Sequence, residues 1–212
     1  MTKIIVIRHC ETIGNVKGEM QGYHEDTEFT EKGTHQMQNL IQRLKKEKIS
    51  AVFCSDLGRA YKTAETIAAD HNLIPIKIKE LREGDIGDWR VLPVKEGIDK
   101  WMIYYEEEKK KGIKREDIRP PNGENSFDHQ KRVMGAVNDI LSQYKQGTVV
   151  IVGHGGTNKV IIGSLVKKDP DEFYTIGQSN ACVNILEING GISEIICIDD
   201  TSHLENGANK LS

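Results

Sequence analysis

The chain has 212 residues, 37% of them apolar, and a net charge of −3; that is enough for one domain with a sizeable core, and the charge gives no global case for nucleic acid or an anionic membrane as partner. No apolar run approaches the ~20 residues of a membrane span, and the start Met1-Thr2-Lys3 has no signal-peptide h-region. Cys10, Cys54, Cys182 and Cys197 form neither a CxxC pair nor a metal-ligand spacing, so the expectation is a cytoplasmic protein with reduced thiols and no metal.

Residues 3–8 read as a buried strand, short, β-branched and closed by polar residues. A long loop rich in Gly, Asn, Gln and acidic residues runs from Glu11 to about Glu28, and loops of that length inside compact domains are usually functional. Thr30 then caps a helix expected to reach about Lys48, with Leu40, Ile41 and Leu44 on one face. Residues 51–54 are a second strand, and 56–70 a second helix capped near Ser55 or Asp56. A third strand is expected from Ile74 to Ile78. Residues 80–123 are the least regular: Trp89, Pro93, Pro120, Pro121 and several glycines argue for loops around one helix near 94–111. On that helix Glu106-Glu107-Glu108 precedes Lys109-Lys110-Lys111, most simply a solvated, self-paired face. Residues 124–145 form another helix, with Val133, Val137, Ile140 and Leu141 on one side. Then come a strand over 148–152, a helix over 156–166, and strands near 182–188 and 192–198 joined as a hairpin by Asn189-Gly190-Gly191. The chain thus reads as a single domain over 1–200 and a polar C-terminal tail over 201–212.

Strands alternating with helices predict an α/β fold with a mostly parallel sheet, and such sheets bind ligands beyond the carboxyl ends of their strands. Arg8-His9 closes the apolar run of residues 4–7, His154 closes residues 149–153, and Arg59 follows Cys54-Ser55-Asp56. Three strand ends therefore carry two histidines and two arginines. These groups repel one another unless an anion sits between them, which points to a phosphate site with one imidazole as nucleophile. A nucleophilic imidazole must be neutral, and neighbouring guanidinium groups disfavour the imidazolium. Arg8 and Arg59 suit the equatorial phosphoryl oxygens because a planar guanidinium makes two parallel bonds. His154 adds a third donor, and backbone N–H groups of Gly155 and Gly156, ahead of a helix, are placed to cradle the anion. Attack by His9 splits one slow displacement into two easier ones. One carboxyl group can serve as acid and then as base. Glu83, in the loop after the third strand, is the first choice, with Asp85, Asp88 and Glu124 as alternatives. Lys95, Lys100 and Arg90 are candidates for a second anionic group of the substrate.

At this point the chain resembles the histidine phosphatase superfamily, in its phosphoglycerate mutase-like branch. Arg8-His9-Cys10-Glu11-Thr12 with Asn15 is similar to the family's Arg-His-Gly-Glu-Thr signature. Gln21-Gly22 with Asp26, then Thr30, Gly33 and Gln36, look like its next stretch. Ser55 to Ala60 with Thr63 to Thr66, Leu81-Arg82-Glu83 with Gly87-Asp88-Trp89, Gly123-Glu124 with Asp128 and Arg132, and residues 152–156 follow in the family's order. Asn180 to Val183 resembles the strand that comes next. The resemblance implies a three-layer α/β/α sandwich, no metal and no cofactor. It further implies that His9 is phosphorylated, that Arg8, Arg59, His154 and Asn15 hold the phosphoryl group, and that Glu83 is general acid and base. Gln21, Gly22 and Gly155 complete the expected substrate contacts.

Three departures stand out. Cys10 replaces the family Gly; the simpler reading is a small tolerated side chain, and the sharper one is a thiol that two nearby arginines make readier to ionise and open to oxidative control. One extra residue lies between Gln21 and Asp26, and Trp89-Arg90-Val91 replaces Trp-Glu-Gly. The resembling mutases carry a basic, Pro-rich insertion and a Tyr after the acid motif, whereas this chain is short and residues 81–100 hold no Tyr. The expected activity is therefore hydrolysis of a small phosphorylated metabolite by a metal-independent phosphatase. The alternatives are a cofactor-dependent phosphoglycerate mutase and a catalytically inactive phosphate-binding homologue. A homodimer through β-edge or helix contacts is compatible with the sequence.

Overall fold

The computed structural model describes residues 1–23, 28–90 and 92–205. Its strands are β1 (Thr2–Arg8), β2 (Ile49–Cys54), β3 (Ile76–Lys77), β4 (Gly147–Gly153), β5 (Val183–Asn189) and β6 (Ile192–Asp200). They form one sheet in the order β3-β2-β4-β1-β5-β6. β3, β2, β4 and β1 run parallel, and β5 and β6 each pair antiparallel with the strand before them in that order. Helices α1 (Ile13–Val16), α2 (Glu31–Leu44), α3 (Gly58–Asp70), α4 (Val94–Lys110), α5 (Ser126–Gln143), α6 (Gly155–Leu165) and α7 (Ser202–Glu205) surround it.

The central strands are apolar on both faces, as a sheet covered by helices on both sides requires. Ile4, Val6, Val149 and Ile151 share one core with Val133, Val137 and Ile140 of α5 and Val160 and Ile161 of α6. Their chain neighbours Ile5, Ile7, Val150 and Val152 point the other way, against Leu40 and Leu44 of α2 and Ala60, Ala64 and Ile67 of α3. The alternation is the period of two that a strand imposes on its side chains. Each fully buried Ile or Val contributes roughly 1.5–3 kcal/mol relative to exposure. The three-layer sandwich follows from these two cores.

Several expected boundaries shift, each for a physical reason. Thr30 does cap α2, accepting from Gly33 N–H, but the helix stops at Leu44 because residues 45–48 offer nothing apolar to bury. The strand expected over residues 74–78 shrinks to two residues. Pro75 has no N–H to pair, Ile74 lies exposed, and β3 touches β2 only at Phe53↔Ile76 and Cys54↔Lys77. The N-cap of α3 is Leu57, without a side-chain cap, because Asp56 is engaged by Arg82. In the β5–β6 hairpin both Gly190 and Gly191 have positive φ, +57° and +82°, the pairing that a two-residue type I′ turn needs. The polar segment expected after Asp200 begins with α7, where His203 is buried and Leu204 packs on the α2–α3 core. Residues 206–212 lie outside the described residues, as do Asp26 and Val91.

No helix among the described residues is long and apolar enough to cross a membrane. In the Glu106–Lys111 run, Lys111 meets Glu108 at 2.7 Å and Lys109 meets Glu106 at 3.9 Å, so this face does pair with itself. α4 is anchored from its other side by Trp101 and Tyr104, whose rings meet Trp89 edge-on at 6.0 and 5.5 Å.

Candidate active site

β1 and β4 lie side by side in parallel register, with Arg8 opposite Gly153. The residues that leave the sheet next, His9 and His154, are therefore forced together. The His9 N–H donates to the Gly153 carbonyl at 3.0 Å. The two rings meet edge-on, 5.3 Å apart. Arg59 arrives from the first turn of α3, fully buried, with Nη2 donating to the Gly22 carbonyl at 2.9 Å. Arg8 is fixed by a bond from Nη1 to the Gln178 carbonyl. A cavity of about 490 Å³ gathers Arg8, His9, Arg59, Glu83 and His154. Asn15, Gln21, Gly22 and Gly155 line it too, so the residues expected to carry the chemistry and to hold the phosphoryl group reach one space.

The state of His9 follows from its contacts. Its Nδ1 lies 2.8 Å from the Cys10 carbonyl oxygen. A carbonyl can only accept, so Nδ1 carries the proton and Nε2 keeps its lone pair. Burial, then the charges of Arg59 and Arg8, push the imidazole well below its ordinary pKa. The sequence argument had the arginines first; burial is the larger cause. His154 is depressed well below its ordinary range in the same way, by burial and then by Arg59 and His9. Both rings are thus neutral near pH 7.

Glu83 sits at the amino end of α6. Its carboxylate accepts from the N–H groups of Gly156 and Thr157 at 2.9 and 3.0 Å, and from its neighbour Gly84 at 2.9 Å. A Cβ at Gly156 would stand 2.5 Å from Oε1, so this close approach needs glycine. Burial acts to raise the carboxyl's pKa, but His129 and the N–H groups of Gly156 and Gly84 outweigh it and hold the group below its ordinary value. This corrects one expectation. The Gly156 N–H is spent on Glu83, and the favourable amino end of the helix dipole stabilises a carboxylate there rather than phosphate.

The loop carrying Glu83 is clamped from two sides. Arg82 makes a two-pronged bond to Asp56 at 2.6 and 2.7 Å. Arg132 donates to the carbonyls of Glu80, Arg82 and Glu83 while its guanidinium pairs with both oxygens of Glu124. No local pattern pointed to this role of Arg132, which is 49 residues from Glu83 in sequence. The alternative acids are all taken elsewhere. Asp85 binds Arg90 at 2.8 Å, Asp88 accepts from Asn122, and Glu124 holds Arg132; none lines the cavity.

On the other flank, Asn15 ends a capping box with Thr12. Its Oδ1 accepts from Thr12 N at 3.0 Å and from Asn180 Nδ2 at 3.1 Å, which turns the amide nitrogen away from them. Asn180 also donates to the His9 carbonyl at 3.1 Å. Gln21 donates to the Thr12 hydroxyl at 3.1 Å.

Cys10 follows the simpler of its two readings. Its backbone φ is not in the left-handed region, so glycine is not required. The side chain lies wholly within the α2–α3 core, and burial pushes the thiol up to about 12. It is a small core residue, not a reactive thiolate.

The wall away from the phosphate-holding groups is apolar, built by Met20, Ile86, Val94 and Ile98, with Glu19 and Lys159 as its charged residues. The expected second-anion contacts are absent from it. Arg90 pairs with Asp85, Lys100 pairs with Glu96 at 3.2 Å, and Lys95 does not line the cavity. Lys159, on α6, was not singled out from the sequence; its Nζ donates to the Tyr174 carbonyl at 3.1 Å.

The family model described as histidine phosphatase superfamily, branch 1, matches residues 4–201. Phosphoglycerate mutase-like protein 4 of Arabidopsis thaliana is 34% identical over 208 residues, covering 96% of this chain and 87% of that protein. The metal-independent phosphoserine phosphatase of the same plant is 32% identical over 214 residues, covering 97% and 84%. Among solved structures, Bacillus stearothermophilus YhfR superposes with a TM-score of 0.82 at 28% identity, covering 96% of this chain and all of that one.

Proposed function

The chain belongs to the histidine phosphatase superfamily, branch 1, and from that premise we propose that it hydrolyses small phosphomonoesters through a phosphohistidine on His9. The observation that carries this reading is the gathering of two neutral, buried imidazoles with Arg8, Arg59 and Glu83 around one cavity.

In the first step His9 Nε2 forms a bond to phosphorus while the ester P–O bond breaks. Arg8, Arg59 and His154 take the equatorial oxygens, where charge accumulates. The departing alkoxide takes a proton from Glu83. In the second step Glu83, now a carboxylate, removes a proton from water as it attacks phosphorus, and the N–P bond breaks to release phosphate and neutral His9. Glu83 starts out ionised in the free site, so the acid step needs a proton supplied. A phosphomonoester monoanion, which prevails below its second pKa of about 6, carries that proton in with it.

The apolar wall and the single Lys159 favour a substrate whose alcohol portion is small and mixed in character. Phosphoserine is the first ester to test, given the metal-independent phosphoserine phosphatase among the relatives. A mutase reading draws on the 34% identity to a phosphoglycerate mutase-like protein. The test is release of inorganic phosphate from phosphoserine, 3-phosphoglycerate and a panel of other esters without added metal, for wild type and His9→Ala. Phosphate release lost by at least about a thousandfold in the variant, the scale of nucleophile removal, supports the hydrolase. Isomerised phosphoglycerate without phosphate release establishes the mutase. No turnover of any ester, with phosphate still bound, means an inactive binding homologue.

A further inference from the structure

One buried titratable side chain at the cavity has no part in the two steps above. His129, in the first turn of α5, is 9% exposed and lines the same space as His9 and Glu83. Its Nε2 lies 3.1 Å from the Thr157 hydroxyl. That hydroxyl lies 2.7 Å from the Arg82 carbonyl oxygen and 3.3 Å from Glu83 Oε1. Thr157 also gives its backbone N–H to Glu83.

The protons in this chain can be assigned. Two oxygens 2.7 Å apart need a proton between them, and a carbonyl has none, so the Thr157 hydroxyl donates to Arg82. Thr157 Oγ can then only accept from the imidazole, which fixes the proton of His129 on Nε2. Thr157 thus links three groups: the imidazole donates to its hydroxyl, the hydroxyl donates to Arg82, and its backbone N–H reaches Glu83. Without the imidazole N–H the hydroxyl still donates to Arg82, but Thr157 loses the tie to α5 that holds it, and with it the backbone N–H that Glu83 accepts, in place. A carboxyl displaced from hydrogen-bond reach of the departing oxygen transfers its proton poorly. The same contact ties α5 to the amino end of α6, the element on which the carboxylate rests.

We propose that His129 is a positioning residue for Glu83: by holding Thr157, which binds both the carboxylate and the Arg82 carbonyl, it keeps the carboxyl within reach of the leaving alkoxide. This rests on Glu83 being the general acid of the reading above. It makes the acid step depend on a residue that contacts neither the phosphoryl oxygens nor His9.

The test is the dependence of kcat/KM on the leaving group, which reports phosphoryl transfer to His9. An alkyl phosphate needs a proton on its departing oxygen; p-nitrophenyl phosphate does not. His129→Leu, which removes the N–H at similar volume, should lower kcat/KM about tenfold or more for the alkyl ester and less than threefold for p-nitrophenyl phosphate. His129→Gln, which restores an N–H donor, should recover most of the alkyl activity. Parallel losses with both esters, or no loss with either, overturn the proposal, as does failure of Gln to exceed Leu. If His129→Leu does not fold, His129→Phe takes its place in the comparison. Glu83→Gln, run alongside, separates the two readings. Should it show no leaving-group dependence, Glu83 is not the acid. Should it show strong dependence while the His129 variants do not, only the role of His129 falls.

Discussion

The two halves of the cavity are built by different means. The half proposed to hold the phosphoryl group stands on the central strands. Arg8 and His9 continue β1, His154 continues β4, and Arg59 sits in the first turn of α3, packed against the same core. Backbone register and two buried cores set these positions, so they have few ways to move. The half that meets the leaving group stands on residues 79–125, where short 3₁₀ turns and loops replace regular structure around α4. Glu83 is held there by side chains: Arg82 on Asp56, Arg132 on three carbonyls, and the amino end of α6. On the proposed reading, the chemistry common to all phosphomonoesters lies on the rigid scaffold. The proton transfer and the substrate contacts lie on a segment that can change while the sheet does not.

The comparison breaks most readily at Arg59. Arg59→Met should lower kcat/KM by about a thousandfold, the scale of removing a guanidinium from phosphoryl transfer, and equally for alkyl and aryl phosphates. A loss confined to one class of ester would place Arg59 with the leaving group instead. Arg132→Met attacks the other half. It strips a charged donor from three carbonyls and leaves Glu124 alone, so stability should fall by about 2 kcal/mol, measured by urea unfolding. Activity toward alkyl esters should fall further than activity toward p-nitrophenyl phosphate. An unchanged unfolding midpoint would show that the loop is held by its other contacts.

A smaller effect sharpens the division. Ile98→Ala trims the apolar wall and should reorder substrates by roughly tenfold in kcat/KM, the value of one or two methylene groups in a pocket. Phosphate inhibition should stay unchanged, because the residue is on the far wall. Equal losses for every ester would mean that Ile98 supports the fold and not the choice of substrate.

The smallest effect is in pH. His9 and His154 are depressed in the folded protein well below the unfolded value near 6.5. Below that value the unfolded chain takes up protons that the folded chain refuses. Their contribution is therefore fully present above pH 6.5 and is lost as pH falls from there toward the folded values. The Tm should decline by several degrees between pH 7 and 5, and His154→Gln should flatten the decline. Because His9 is held well below its ordinary value, kcat/KM should not fall with an apparent pKa near 6.5 through protonation of the proposed nucleophile. A drop in activity with an apparent pKa near 6.5 would mean that burial and the two arginines do not set its charge.

What the sequence determined by itself was the scaffold and the groups fixed to it. Runs of four or five β-branched residues have one stable home, a strand covered on both faces. In a parallel sheet the residues after such runs meet at one edge, which is why Arg8, His9 and His154 were legible from local pattern alone. Glu83 was legible only as a carboxyl in a loop reaching that edge, and the resemblance singled it out from three others. The tertiary structure decided what those others do: Asp85, Asp88 and Glu124 each found a partner outside the cavity. It also decided that Gly156 serves Glu83 and that Arg132 clamps the loop that carries it. Cys10 became an inert core residue because burial there outweighs the nearby positive charge. These outcomes depend on contacts between residues tens of positions apart, held by loops whose paths no periodicity encodes. Proton affinities depend on burial, and burial exists only once the chain has closed around the site.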